Sequence, residues 1–356
     1  MSFNLRTILN YLSLILLTTA LTFGSLNAQK SVEQKLKKEI KKILRFEIEW
    51  NKKETPGFIV VVVEPDTSFT VKFGTEANSK EEILDNRLFG IGGLSKVYTS
   101  IALAQAIQNN ALDTSKTINE VFPDVKINPS IKIYDLVHHK AGFPRTLKML
   151  NVNKRNDYEN ISYDELVSSI ASNSIQENED FQYNHHDFAL LNIWIQRETG
   201  EDATYWYKKA QDTYRELPDW RLNQKPITGL NKSGDECSDI KYGVYEPSLG
   251  LSATKNDMEK LVRFLLSDNE LSALIKEDEI ETGINKGIYF SNGLYKITKG
   301  KKHTIYGHGG RSINNSASLH FVPETQTGLI ILSNSETGVK QLYLPILSMI
   351  NNNWRR

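Results

Sequence analysis

A lysine in the first turn of an apolar helix, a tyrosine and a scatter of histidines are the side chains whose types and positions point to proton transfer. Lys96 follows Phe89-Gly90-Ile91-Gly92-Gly93-Leu94-Ser95 and opens the run Val97 to Asn109. In that run Val97, Ile101, Leu103, Ala104 and Ile107 recur mostly at three- and four-residue steps, so the spacing predicts a largely buried helix. From this stretch alone Lys96 reads either as a solvated lysine near a helix start or as a functional amine. Tyr183, in Tyr183-Asn184-His185, offers a phenol; taken alone it reads as a core tyrosine with a satisfied hydroxyl. His308 precedes Gly309 and Gly310, where missing side chains let a ligand approach the backbone; alone it reads equally as a turn histidine.

Metal and thiol chemistry have little to work with. His138-His139 and His185-His186 are adjacent pairs, and a site built from them with His308 needs three side chains converging on one ion, which adjacent histidines rarely do, so no metal or other cofactor is expected. The single cysteine, Cys237, excludes an internal disulfide and a Cys-built zinc site. With no activating histidine beside it in sequence, it reads as a packed small side chain.

Those residues need a frame. The 356 residues are 39% hydrophobic and 24% charged, enough for one large domain or two intimate ones, and Lys+Arg and Asp+Glu are both 43, so no global field favours nucleic acid or an anionic membrane. Val32, Leu36, Ile40, Ile43, Leu44 and Trp50 lie among Lys and Glu in an amphipathic pattern stopped by Pro56-Gly57. Phe58 to Glu64 and Ser68 to Phe73 read as a hairpin turning at Pro65-Asp66. The middle of the chain is helical, with elements over Ile131 to His138, Tyr163 to Ser172, Phe188 to Thr199, Ala203 to Tyr214 and Asn256 to Leu266. Residues 151–160 read as a surface loop and Gln224 to Val244 as a long, potentially functional one. Strands return over Ile288 to Ile297, His303 to Tyr306, Ala317 to Val322 and Gly328 to Ser333, with turns at Lys299-Gly300 and Pro323-Glu324, and Leu342 to Ile350 closes as a helix. Strands at both ends with a helical middle predict one antiparallel sheet covered by helices, with a helical lobe inserted at roughly 110–255.

Arg6, an apolar run from about Ile8 to Phe23 and Gly24-Ser25-Leu26-Asn27-Ala28 have the order of a secretory signal, with cleavage after Ala28. The run is short for a membrane span, and no cysteine follows it to carry a lipid. The mature domain, 29–356, is expected to be exported, to the periplasm or outside the cell, without a stable membrane span.

Taken jointly, several stretches resemble the serine β-lactamase and penicillin-binding-protein superfamily, in particular the class C β-lactamase, D,D-peptidase and esterase branch. They are Pro56-Gly57, Phe89 to Lys96, Ile131 to Pro144, Phe181 to Leu191, Leu249 to Met258, Gly307-His308-Gly309-Gly310, Pro323-Glu324-Thr325 and Leu332-Ser333-Asn334. The resemblance implies an α/β (α+β) sandwich of the β-lactamase and transpeptidase type. It also implies an S-x-x-K motif in which a serine three residues before the lysine attacks an acyl carbon while the lysine takes its proton. Here the lysine is Lys96 and the serine position is Gly93. Ser95 adjoins the lysine and points elsewhere on a helix, so it reads as a packing or capping residue.

The same resemblance casts Tyr183 as the proton-sharing phenol and His185 in the place of the usual asparagine. It makes His308-Gly309-Gly310 the edge-strand motif, and gives the oxyanion site donors from the Gly93 N–H and a group near Ser312. Two functional readings follow. In the first, acyl transfer is lost and a pocket around Gly93, Lys96, Tyr183, His185 and His308 binds an amide, ester, peptide or glycan fragment, or a partner protein. In the second, a working enzyme uses Lys96 and Tyr183 to activate water or abstract a proton.

Overall fold

The computed structural model describes residues 32–45, 56–77, 79–125, 130–145, 158–172, 180–298, 302–337, 339 and 342–353. The N-terminal segment with its cleavage position, residues 46–50 of the first predicted helix, most of the 151–160 loop and the Lys299-Gly300 turn lie outside the described residues.

Eight strands form one sheet: β1 Phe58–Val63, β2 Ser68–Phe73, β3 Ile280–Glu281, β4 Ile288–Ser291, β5 Leu294–Ile297, β6 Ile305–Arg311, β7 Ser316–Val322 and β8 Thr327–Ser333. They are antiparallel throughout and run in the order β2-β1-β8-β7-β6-β5-β4-β3. The strand that begins the chain's β structure thus pairs with the strand that ends it. β1 is apolar at every position because both its faces are covered: Ile59, Val61 and Val63 enter one core while Phe58, Val60 and Val62 enter the other. A strand buried on both sides loses the alternation that a half-solvated one shows.

The longer helices are α1 (residues 32–45), α2 Ser95–Gln108, α3 Tyr163–Ser172, α4 His186–Thr199, α5 Ala203–Thr213, α6 Lys255–Leu266, α7 Glu270–Lys276 and α8 Tyr343–Asn353, with single helical turns such as Ile118–Val121 and Glu246–Leu249 between them. On the outer face Leu36, Ile40 and Leu44 of α1 and Ile346, Leu347 and Ile350 of α8 pack on Val60, Val62, Leu329 and Ile331. On the inner face α2 is buried continuously from Ser95 to Ala106, enclosed between the sheet and the helical middle of the chain. A helix buried all round needs no polar face, so α2 carries almost no amphipathic signal. The architecture is the expected mixed sandwich of an antiparallel sheet flanked by helices.

Three local expectations change. Ile288 to Ile297 is a hairpin of β4 and β5 rather than one strand; it turns at Asn292-Gly293, where Gly293 takes φ +85°, a dipeptide that favours tight turns. The strand predicted over His303 to Tyr306 begins at Ile305 and continues through His308-Gly309-Gly310 to Arg311. α7 and β3 were not anticipated; α7 is a short helix capped by Asn269, whose side chain accepts from Ser272 N.

Among the described residues no helix is long and apolar enough to cross a membrane.

Candidate functional site

The site lies where the N-terminal turn of α2 meets one edge of β6. Ser312 N–H donates to Asn315 O at 2.9 Å. Pairing alternates along an antiparallel ladder, so His308 and Gly310 direct their backbone groups toward β7 while Gly309 and Arg311 turn theirs to the other edge. β5 covers that edge only as far as Gly307, opposite Tyr295. Beyond it the strand borders a cleft of about 770 Å³ whose walls include Gly93, Arg145, Tyr183, His185, Tyr295 and His308.

Two glycines let backbone approach backbone here. A Cβ on Gly310 would stand 1.6 Å from Ile91 O, and one on Gly92, at φ +49°, would stand 2.4 Å from Arg311 N. Both contacts lie far below van der Waals separation, and the atoms met are backbone that cannot swing away. Gly310→Ala is therefore expected to part the turn from the strand and to cost on the order of 3 kcal/mol or more. Chemical denaturation of the variant measures this; an unchanged midpoint would mean that the turn does not rest on the strand.

Lys96 is fully buried and does not reach the cleft wall. Its Nζ lies 2.8 Å from His185 Nδ1 and donates to Ser248 O at 3.2 Å. The rings of Tyr183 and Phe188 flank it, with centroids 5.0 and 5.5 Å from Nζ. Burial pulls the amine down to about 7 because an ammonium loses its hydration in the interior; an ionised Asp187 would act in the opposite direction.

Beneath this pair, Asp187 Oδ2 lies 2.6 Å from His139 Nδ1 and accepts from Asn184 Nδ2 at 2.7 Å. Burial raises the Asp187 carboxyl and lowers the His139 imidazole, both favouring a neutral pair. His186 bonds through Nδ1 to the Tyr245 hydroxyl at 2.7 Å.

Tyr183, Tyr295 and His308 form an aromatic wall. The Tyr183 and His308 ring centroids are 5.8 Å apart, and Tyr295 stacks on each at 6.3 and 5.6 Å. Burial raises the Tyr183 phenol well above its ordinary range and lowers the His308 imidazole to about 3, so both remain neutral near pH 7. The guanidinium of Arg145 lies 6.0 Å from the Tyr183 centroid, within cation–π range.

The decisive geometry concerns Gly93. A Cβ built there would stand 2.8 Å from Tyr183 Oη, 2.9 Å from His308 Cε1 and 3.4 Å from Gly309 O. The space in which a side chain at this position would begin is already taken.

A family model described as Beta-lactamase matches residues 31–345. The chain belongs to the β-lactamase family. Among solved structures, a class C β-lactamase from Rhodobacter sphaeroides superposes with a TM-score of 0.70 at 14% identity, covering 83% of this chain and 95% of that one. A structure described as SurE superposes with a TM-score of 0.69 at 15% identity, covering 92% of this chain and 77% of that one. At such identities these likenesses show the fold alone. No curated protein sequence matches the chain.

Within this family member, Gly93, Tyr183, His185, His308, Gly309 and Gly310 share one cleft, with Lys96 directly behind His185. Ser95 does the local work expected of it: its Oγ accepts from Leu251 N at 3.1 Å. Ser312 is misplaced in the reading from sequence. Its N–H serves Asn315 O, its Oγ bonds Asn314 Oδ1 at 3.0 Å, and it is absent from the cleft wall. The edge-facing amide is one residue earlier, at Arg311, because Ser312 already closes the β6–β7 turn. His138 stands apart, edge-on to Tyr134, and no metal-ligating cluster occurs among the described residues. Arg145 and Tyr295 were not foreseen. The only available signals were that Arg145 directly follows the Gly142-Phe143-Pro144 stop and that Tyr295 lies two residues beyond Gly293.

Proposed function

We propose that this protein is an exported member of the β-lactamase family that binds an acyl compound such as an amide, ester or peptide, or else a glycan fragment, without forming an acyl-enzyme. The observation that carries the reading is the closure over Gly93. There is no hydroxyl at that position, and Tyr183 and His308 fill the space where its Cβ would sit. The amine that would take a proton is held instead by His185 and Ser248 O. In a hydrolase whose residues act as a unit, loss of the nucleophile removes about a million-fold of rate in the best-measured case. The binding features persist: a half-open cleft, a backbone edge at Gly309 to Arg311 and an aromatic wall. Export rests on the order of the N-terminal segment.

The enzyme reading has one observation in its favour, the drop of Lys96 to about 7, which suits a base working near neutrality. Its position behind His185 weakens that reading, since an amine with no access to the cleft cannot itself meet a substrate proton. Turnover of a chromogenic β-lactam and a short acyl ester separates the two. The native chain is expected to bind such compounds saturably and release them unchanged. Turnover that disappears in Lys96→Ala would establish a serine-free enzyme and end the binding proposal.

A further inference from the structure

The Lys96–His185 contact has a consequence for what the cleft recognises. Lys96 is sealed from solvent and His185 stands between it and the cleft, lining the wall while only partly buried. The two ring nitrogens of an imidazole lie on different sides, so with Nδ1 turned inward to Lys96 at 2.8 Å, Nε2 turns outward. It is not among the buried polar atoms that lack a partner, whereas both nitrogens of His308 are. An ammonium has three donors and no acceptor, so while Lys96 carries its proton the only role left to Nδ1 is acceptor. A neutral imidazole has one N–H, which must then sit on Nε2.

We propose that Lys96 is a positioning residue acting through His185, holding the imidazole with Nε2–H directed into the cleft as a donor to a carbonyl or carboxylate oxygen of the ligand. This rests on the reading of the cleft as an acyl-compound site and adds the atom that reads the acyl oxygen. An asparagine at 185 could donate a hydrogen bond from its amide at any pH. A histidine backed by a lysine donates one whose strength follows the proton on Lys96, because the chain ammonium, imidazole, ligand oxygen is charge-assisted only while that proton is present. Once Lys96 is neutral its amine both donates and accepts, and the tautomer of His185 is no longer fixed.

The neighbouring groups leave Lys96 as the member of this site that changes charge near neutrality. His186 and Asp187 on α4, His139 at the end of the short helical turn Ile133–His138, His308 on β6, Tyr183 and Arg145 surround the pair. Burial keeps the imidazoles of His139, His186 and His308 neutral and the Tyr183 phenol protonated. Asp187 shares its bond with His139 as a neutral pair. His185 is itself held low by burial and by the Lys96 charge.

The test is long-range proton–nitrogen correlation NMR of the native chain labelled at its histidine ring nitrogens, at about pH 6 and about pH 9. The probe is N-benzoylglycinamide, which is uncharged across that range and carries two carbonyls. The expected result is an Nε2–H tautomer for His185 at the lower pH, with a midpoint near that of Lys96, about 7. Affinity for the probe should fall roughly five- to tenfold across the range, the difference between a charge-assisted and a neutral hydrogen bond. Lys96→Met should lose the fixed tautomer and the pH dependence together. His185→Asn removes the imidazole, so whatever affinity for the probe remains should no longer vary with pH.

An Nδ1–H tautomer at the lower pH, or an unchanged pH profile in Lys96→Met, would overturn the positioning role. Binding without pH dependence in the native chain would overturn the contact at Nε2 and leave acyl binding standing. No binding at either pH would remove both the contact and the acyl-binding reading.

Discussion

A Gly93→Ser variant is expected to gain no acyl-transfer chemistry and to lose about 1–3 kcal/mol of stability, the usual cost of overpacking a formed interior. The new Cβ would start 2.8 Å from Tyr183 Oη and 2.9 Å from His308 Cε1. Both atoms are the far ends of side chains, so they can yield, but each ring is packed against Tyr295 and moving either disturbs the wall. The hydroxyl would also lack a base, since the Lys96 amine is engaged by His185 Nδ1 and Ser248 O. Restoring the motif at one position therefore restores neither the space nor the proton acceptor. Combining Gly93→Ser with His185→Asn frees one of the two contacts on Lys96, and the double variant is where slow acylation by an ester is expected first. Denaturant midpoints and intact masses of the two variants check both statements. Full turnover by Gly93→Ser alone would show that the wall opens at little cost.

The second large effect concerns the buried amine. Lys96 has its folded-state pKa lowered from 10.5 to about 7 by burial, so between those values the unfolded chain binds more protons than the folded one. Stability then rises with pH across that window. Below about 7 the full penalty applies, at most about 5 kcal/mol for a shift of this size. Lys96→Met removes the charge while filling similar space. It is expected to be more stable than the native chain by a few kcal/mol at about pH 6, with the difference shrinking toward about pH 9. Urea unfolding of both chains at the two pH values measures this. A Lys96→Met chain less stable than native at the lower pH would mean that the bonds to His185 and Ser248 O outweigh desolvation.

Much of this arrangement is legible in the chain before folding is considered. The helix bearing Lys96 shows in its apolar spacing, and the hairpin of β1 and β2 shows in two runs separated by Pro65-Asp66, because both signals are local. The likeness of several short stretches to one family placed Gly93, Tyr183, His185 and His308 in a single site, and the fold brings them into one cleft. What escaped is of two kinds. Some rest on a local signal: Asn292-Gly293 marks the turn that separates β4 from β5, and with it goes the placement of Tyr295 in the wall. Others are long-range. The bond from Lys96 to His185 joins residues 89 positions apart, and the crowding over Gly93 arises from Tyr183 and His308 on separate elements. No spacing rule carries such contacts, and the shift from Ser312 to Arg311 as the edge-facing amide followed only from the ladder's alternation.

No covalent acyl species is expected to form on this chain. Intact-protein mass spectrometry of the native protein after incubation with a β-lactam tests it most directly. An unmodified mass is expected at every time point, with the β-lactam recovered whole. A mass increase equal to the β-lactam, mapped to Ser95, Tyr183 or any other side chain of the cleft, would contradict it.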